Sequence, residues 1–481
     1  MRAFVERDRE LASLEQFWTS GRAQFVPMVG RRRVGKTYLA EHFAADKRVA
    51  YFRCRLAATS EQLPALGATL AELADDAVLR AEPPNTWPGV LAVIARLADE
   101  ERLLLILDEL PYWASHDASL PSTLQNWWDA EGRHLNVMVV ICGSAVQMME
   151  GLLSGPAPLA GCVTGRIPVR PLDFRGAAQL LAFHDPVDTL TSYGILGGVA
   201  LYLTLFDSKR SIEHNIATAI ANPTARLYVE PDAVFAAHHE SYSRAQALAI
   251  LRAIADGNRE YSRIQQRSGV PSGSFPRVIE QLVGDLGLVE RVLPVTEDKP
   301  RRTYHTQYRV TDNFFLFWFR FIEPNRGQIE FGAGRRIASA IVSQLSDYMG
   351  LPFEAMCREW VGLALGEGAL QVPVVKVGTW WIANHEVDVV GLDASGRVAL
   401  AGEAKWRNSA FAWDDLETYL DHLRAMGDLV RPDVQHVLFS KKAFATSVQD
   451  WARSNNALLL TPRDMLAPFE RVGQLDHLDR D

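Results

Sequence analysis

The residues best suited to chemistry are Gly30, Gly35, Lys36 and Thr37, in the run VPMVGRRRVGKTYL from Val26 to Leu39. They fill every fixed position of G-x-x-x-x-G-K-[ST]. At that spacing the glycines let the backbone curl until its N–H groups surround an anion. Lys36 then reaches the β- and γ-phosphates of a nucleoside triphosphate, and Thr37 offers its hydroxyl to Mg²⁺. Val34 completes the loop, and the three arginines before it, Arg31, Arg32 and Arg33, either assist the phosphates or belong to a solvated or interdomain face. ATP with Mg²⁺ is the expected ligand pair. A second pair, Asp108-Glu109, has the complementary chemistry: Asp108 would hold Mg²⁺ directly or through water, and Glu109 would polarise the attacking water.

Both groups need buried parallel strands to position them. The apolar run Phe25 to Val29 precedes the loop, and Tyr38, Leu39, Ala40 and Phe43 open an amphipathic helix after it. Leu103 to Leu107 is an unbroken apolar run, too short for a helix, that ends in the acidic pair; Val137 to Ile141 is another, ending in Cys142-Gly143-Ser144. Tyr51, Phe52 and Cys54 suggest one more strand, and helical spacing runs from Ser60 to Ala98, broken by Pro83, Pro84 and Pro88. Strands alternating with helices predict a parallel, three-layer α/β sheet with its ligand at the carboxyl ends of the strands. Ser144 falls at such an end, where it either faces the ligand or caps a helix over Ala145 to Leu153.

The chain has 481 residues, 48% apolar and 22% charged, enough for about three domains of ordinary size. It has no apolar run of the roughly 20 residues that span a bilayer, and the charged segment after Met1-Arg2-Ala3 is unlike a signal peptide. Cys54, Cys142, Cys162 and Cys357 lack paired spacing, so neither a disulfide frame nor a zinc knuckle is expected, and a reducing cytoplasm is the expected compartment. A net charge of −8 excludes a global nucleic-acid footprint; binding of DNA or RNA would need a local patch.

Phe4, Arg7, Asp8, Glu10 and Leu11 form F-x-x-R-[ED]-x-E-L ahead of the phosphate loop, followed by a helix with Leu11, Leu14 and Trp18 on one face. With the loop and the acidic pair, this resembles the AAA+-related ATPases of the STAND group, particularly the archaeal-type ATPase family also found in bacteria. The resemblance implies that the element carrying Arg7 borders the nucleotide base, and that Ser144 senses the γ-phosphate. Val163-Thr164-Gly165-Arg166 resembles the family's L-x-G-R segment, whose arginine approaches a nucleotide; Arg166 is alternatively a surface residue. Gly197-Gly198-Val199-Ala200-Leu201-Tyr202-Leu203 resembles the lid signature G-G-x-P-x-Y-L, with alanine in place of the proline that would fix φ.

Further along, Ala247, Leu251 and Ile254 make one helical face, Tyr261 to Ser268 a short helix, and Phe275, Val278, Ile279, Leu282, Val283 and Leu286 a third helix. Strands Leu288 to Leu293 and Tyr304 to Val310 would flank the loop Lys299-Pro300-Arg301-Arg302, completing a winged helix-turn-helix. It would serve as a DNA reader, with Ser272, Ser274, Arg277 and Gln281 towards bases and the wing arginines on phosphate, or as a regulatory lid on the ATPase. Asp312 to Asn325 concentrates six aromatic residues between Phe314 and Phe321; a buried hinge helix competes with a base-stacking platform. In the family a similar aromatic segment leads into a C-terminal domain of uncharacterised function.

In that last domain Glu354 lies on a helix whose apolar face is Phe353, Met356, Cys357, Trp360, Val361 and Ala364. His385 to Val390 and Val398 to Ala404 read as strands joined by a turn at Asp393 to Gly396. The hairpin brings Asp388 near Glu403 and sets Lys405 on the same face as Glu403. The order E…D…E-x-K resembles the PD-(D/E)XK nuclease fold, in which two carboxylates hold Mg²⁺ and the lysine assists the nucleophile. A surface ion pair is the plainer reading of Glu403 and Lys405.

The expected architecture is therefore α/β: a P-loop NTPase core with a parallel three-layer sheet (1–175), a helical lid (176–240), a winged helix (241–312), an aromatic linker helix (313–345) and a restriction-endonuclease-like α/β domain (346–481). The expected output is ATP-gated cleavage of DNA or RNA, or non-cleaving regulation through nucleic acid, a protein partner or a second copy of the chain.

Overall fold

The computed structural model describes residues 7–144, 146–236, 243–284, 286–298 and 306–469. By internal packing the chain forms two compact units. One runs up to Leu172 and includes Val199–Leu201; the other comprises Asp173–Gly198 and the chain from Tyr202 onward.

In the first unit five strands, β1 (Gln24–Val29), β2 (Val49–Arg53), β3 (Leu103–Asp108), β4 (Val137–Gly143) and β5 (Ile167–Pro168), form a parallel sheet in the order β2-β3-β4-β1-β5. Strands β1, β3 and β4 are buried along their whole length, which explains their unbroken apolar sequences. Their side chains alternate between two cores. Phe25, Leu105, Leu107, Val139 and Ile141 join Trp113 and Trp128 on one face, and Val26, Met28, Leu104, Ile106 and Val140 join Leu39 and Phe43 on the other. Each such side chain contributes about 1.5–3 kcal/mol of burial, so a polar replacement in mid-strand is poorly tolerated. The order places β4 between the loop-bearing β1 and the acidic β3, so Ser144, the residue after β4, stands beside the end of β3.

In the second unit, helices Arg244–Ala255, Tyr261–Ser268 and Phe275–Val283 precede a two-stranded antiparallel ribbon, β6 (Val289–Val292) with β7 (Gln307–Val310). Lys299, Pro300, Arg301, Arg302 and Tyr304, where the second strand is expected to begin, lie outside the described residues. Phe314, Phe315, Phe317, Trp318, Phe319 and Phe321 are all buried, and Tyr348 packs edge-on against Phe317 and Phe321. The aromatic run is a core helix here, with no face open for base stacking.

The C-terminal sheet is mixed: β8 (Lys376–Ile382), β9 (His385–Leu392) and β10 (Val398–Lys405) are antiparallel neighbours. Strand β11 (Val430–Ser440) lies parallel to β10 and β12 (Leu458–Leu460) parallel to β11. Helix Trp413–Arg424 makes the crossover that a parallel β10–β11 pair requires, burying Leu416, Tyr419 and Leu423. Among the described residues no helix is long and apolar enough to cross a membrane.

Candidate functional sites

The loop after β1 is shaped by backbone constraints before any ligand is considered. A Cβ on Gly30 would lie 2.2 Å from the Val169 carbonyl oxygen, and Gly35 has φ of +107°, so both positions need glycine. Helix Lys36–Ala44 starts directly after Gly35, which points its free N–H groups and positive dipole end into the loop. Arg33 also has positive φ, Arg31 is half-buried and Arg32 is exposed.

Lys36 is buried, and its Nζ donates to the carbonyls of Gly30 at 2.7 Å and Arg31 at 2.9 Å. Burial lowers the lysine pKa against the opposing charges of Glu109 and Asp108. Thr37 Oγ1 donates to Asp108 Oδ2 at 3.0 Å, so the hydroxyl and carboxylate expected to share Mg²⁺ are adjacent. Tyr51 donates to the same Oδ2 at 2.8 Å, and Arg53 Nε is 3.6 Å from it. Burial, then the Asp108 charge, raises the Tyr51 pKa and keeps the phenol a donor. Asp108 Oδ1 is buried without a hydrogen-bond partner, a costly state that a cation beside Thr37 would relieve. The donor set fits Mg²⁺.

Glu109 has φ of +58°, a left-handed conformation uncommon for a non-glycine residue, and it starts helix Leu110–His116. Its Oε2 accepts from both the N–H and the Oγ of Ser144, each at 2.9 Å. Ser144 thus contacts the second acidic residue directly. Arg7 is buried behind the loop: it donates to the carbonyls of Val34 at 3.0 Å and Arg170 at 2.8 Å, and to Glu10 at 2.8 Å. It braces loop backbone. Arg166 is partly exposed and paired with Glu150, on the helix after β4, so it is not gathered with Lys36 and Asp108.

The C-terminal cluster is built across one hairpin. The register pairs Gly402 with Val389, so Glu403 falls opposite Asp388, and Glu386 and Lys405 share that face by strand alternation. Asp388 Oδ2 accepts from the Ala404 N–H at 3.0 Å, and Arg358 donates to the Asp388 carbonyl at 2.8 Å. Glu403 pairs with Lys405 through Oε1, while its Oε2 is buried without a partner in a side chain only about 5% exposed. Glu354, Glu386 and Asp388 bring carboxylate oxygens within 4.8 Å of one another. Burial, then the neighbouring Asp388, raises the pKa of both Glu403 and Glu354, and burial raises that of Asp388. Burial pulls on Lys405, but Glu403 outweighs it and the ammonium is held above its ordinary pKa.

Residues 4–206 match a family described as an ATPase domain predominantly from Archaea. The chain carries an archaeal-type ATPase domain. Residues 318–416, which include Glu354, Asp388, Glu403 and Lys405, match a family of archaeal and bacterial proteins of unknown function. An uncharacterized protein of Methanocaldococcus jannaschii is 27% identical over 406 residues, 84% of this chain and 88% of its own length. A shorter uncharacterized ATP-binding protein of that organism is 44% identical over 46 residues, 10% of this chain and 78% of its own. Among solved structures, the Walker-type ATPase of Pyrococcus abyssi aligns with a TM-score of 0.50 and 17% identity, covering 66% of this chain and 96% of its own. That likeness gives the archaeal-type ATPase domain its fold: a parallel P-loop sheet.

Outside the ATPase domain, the predicted base-reading residues divide. Ser272 and Arg277 are exposed, whereas Ser274 accepts from Gln246 at 3.1 Å and Gln281 is half-buried. Three contributors were not foreseen in the sequence: Tyr51 on Asp108, Glu386 in the C-terminal cluster, and Arg259, which donates to Glu386 at 2.9 Å. Strand period alone places Glu386 on the face of Asp388; the other two contacts depend on tertiary pairing.

Proposed function

We propose that the chain is a cytoplasmic ATP-binding and ATP-hydrolysing switch that controls a metal-dependent, nuclease-like C-terminal site acting on DNA or RNA. In the ATPase domain, the loop from Gly30 to Thr37 would wrap the phosphates, with Arg31, Arg32, Arg33 and Val34 as loop contributors. Lys36 would exchange its two carbonyl acceptors for phosphate oxygens. Thr37 and Asp108 would hold Mg²⁺, which supplies charge neutralisation at the phosphates when bound. Glu109 would orient the attacking water. Ser144, which already donates twice to Glu109, would set the position of that carboxylate and sense the γ-phosphate. Arg7 would border the nucleotide by fixing the Val34 carbonyl, and Arg166, partly exposed, suits action on a neighbouring copy of the chain.

The observation that carries the nuclease-like reading is the convergence of Asp388, Glu403 and Lys405 on one face of a hairpin, with Glu403 Oε2 buried and unpartnered. Asp388 and Glu403, with Glu354 nearby, would hold a divalent ion able to activate water, and Lys405 would steady the nucleophile. The helices Arg244–Ala255, Tyr261–Ser268 and Phe275–Val283 with their ribbon would act as a winged helix on nucleic acid. The net charge of −8 favours a second reading, a non-cleaving regulator or scaffold that binds nucleic acid or protein through the same parts. Labelled DNA and RNA incubated with Mg²⁺ or Mn²⁺, with and without ATP, separate the two. Metal-dependent cleavage lost in Asp388→Asn is expected, and absence of cleavage with every substrate would leave the regulator.

A further inference from the structure

The carboxylates of Glu354, Glu386 and Asp388 converge, and a side chain from far along the chain already sits on them. Arg259 Nη1 donates to Glu386 Oε1 at 2.9 Å, and its Nη2 stands 4.0 Å from Glu354 Oε2. Arg259 lies between helices Arg244–Ala255 and Tyr261–Ser268, and its carbonyl accepts from the Tyr308 N–H of β7 at 2.8 Å. The same segment therefore touches both the ribbon and the acidic cluster. Arg259 satisfies this cluster poorly: 4.0 Å is beyond hydrogen-bond reach, and its one hydrogen bond goes to Glu386 alone, although Arg358 and Lys405 add positive charge nearby. On the same face, Glu403 pairs with Lys405 through Oε1 while its Oε2 is buried with no partner, an independent sign of an unfilled ligand position.

We propose that Glu354, Glu386 and Asp388 form a divalent-cation position that Arg259 occupies in this structure, so that a divalent ion and Arg259 compete for it. This rests on reading the hairpin face as a metal site, and it adds Glu386 as a ligand and Arg259 as an internal cation. A divalent ion draws carboxylate oxygens to about 2.0–2.6 Å and would engage all three groups, which the planar fork of an arginine does not do here. Release of Arg259 would free the segment that pairs with β7 and link metal binding to the helical segment before the sheet. By linkage, whatever moves that segment would alter metal affinity by the same factor.

Calorimetric titration with Mn²⁺ alone, on the full chain carrying Lys36→Ala to disable the ATP site, tests this. Arg259→Gln should tighten Mn²⁺ binding about tenfold or more, the worth of one charge-assisted hydrogen bond removed from the competitor. Arg259→Lys, which keeps the charge and loses the fork, should fall between, and Glu386→Gln should weaken binding. In the chain with native Arg259, Mn²⁺ should speed hydrogen exchange at the Tyr308 amide, a readout that needs no variant to fold. Mn²⁺ binding abolished by Asp388→Asn and Glu403→Gln but unaltered by Arg259→Gln, with Tyr308 exchange unmoved, would overturn the competition and leave the metal site standing. No Mn²⁺ binding in any of these chains would overturn both.

Discussion

The phosphate loop and the C-terminal hairpin both gather charged side chains in buried places, yet they resolve the cost differently. At the loop, Lys36 is held by two backbone carbonyls, Asp108 by Thr37 and Tyr51, and Glu109 by two donors of Ser144. At the hairpin, three carboxyl groups crowd together, one oxygen of Glu403 has no partner, and burial drives Asp388, Glu354 and Glu403 toward their neutral forms. At the first site each charged side chain has at least one hydrogen-bond partner, and only the second oxygen of Asp108 is buried without one. The second is a crowded cluster in which Lys405, Arg259 and Arg358 only partly offset the buried carboxyl groups. A pre-organised site should lose function when single atoms change with little effect on fold, whereas a crowded one should gain stability from a cation.

The comparison breaks most sharply at Glu109. Glu109→Gln keeps the oxygen that accepts from Ser144 and removes the charge, so ATP turnover should fall by roughly 10²–10⁴ with ATP affinity retained. Unchanged turnover in a steady-state assay would assign water activation elsewhere. Next, Lys36→Ala should weaken ATP binding on the order of a hundredfold, as two charge-assisted phosphate contacts are lost. The fold should persist, and an unaltered calorimetric affinity would remove the loop assignment.

These two sites were not equally legible. Gly30 to Thr37 lie within eight consecutive positions, and the apolar run before Asp108 declares its strand, so local spacing sufficed. Tyr51 has no such local signal, since only the β2–β3 register, which pairs Tyr51 with Ile106 and Arg53 with Asp108, brings it to the carboxylate. The hairpin bearing Asp388 and Glu403 followed from strand period and the turn at Asp393 to Gly396. Glu386 obeys the same period, but its neighbours in sequence spell only a strand. Arg259 lies 127 residues from Glu386 in sequence, a separation across which no local pattern reaches.

Arg7 sharpens the contrast from the structural side. Arg7→Ala leaves the Val34 and Arg170 carbonyls without their donor and should cost about 1.5–3 kcal/mol by denaturant unfolding. A stability equal to that of the parent would show the brace to be dispensable. The pH dependence is the gentlest probe. Folded carboxyl groups with raised pKa bind more protons than the unfolded chain, so without metal, stability should fall as pH rises above the ordinary carboxylate range, until these groups have ionised. The slope is at most about 1.4 kcal/mol per pH unit per group. Glu403→Gln should flatten it in pH-resolved thermal melts, and an unchanged slope would mean that other groups set it.

Titration of the Lys36→Ala chain with Mn²⁺, beside the same chain carrying Asp388→Asn, decides whether the hairpin face binds a divalent ion. A saturable Mn²⁺ site present in the first and absent in the second, with the folded state intact in both, is the predicted result. Equal Mn²⁺ binding by the two chains, or none by either, would contradict a metal-dependent C-terminal site.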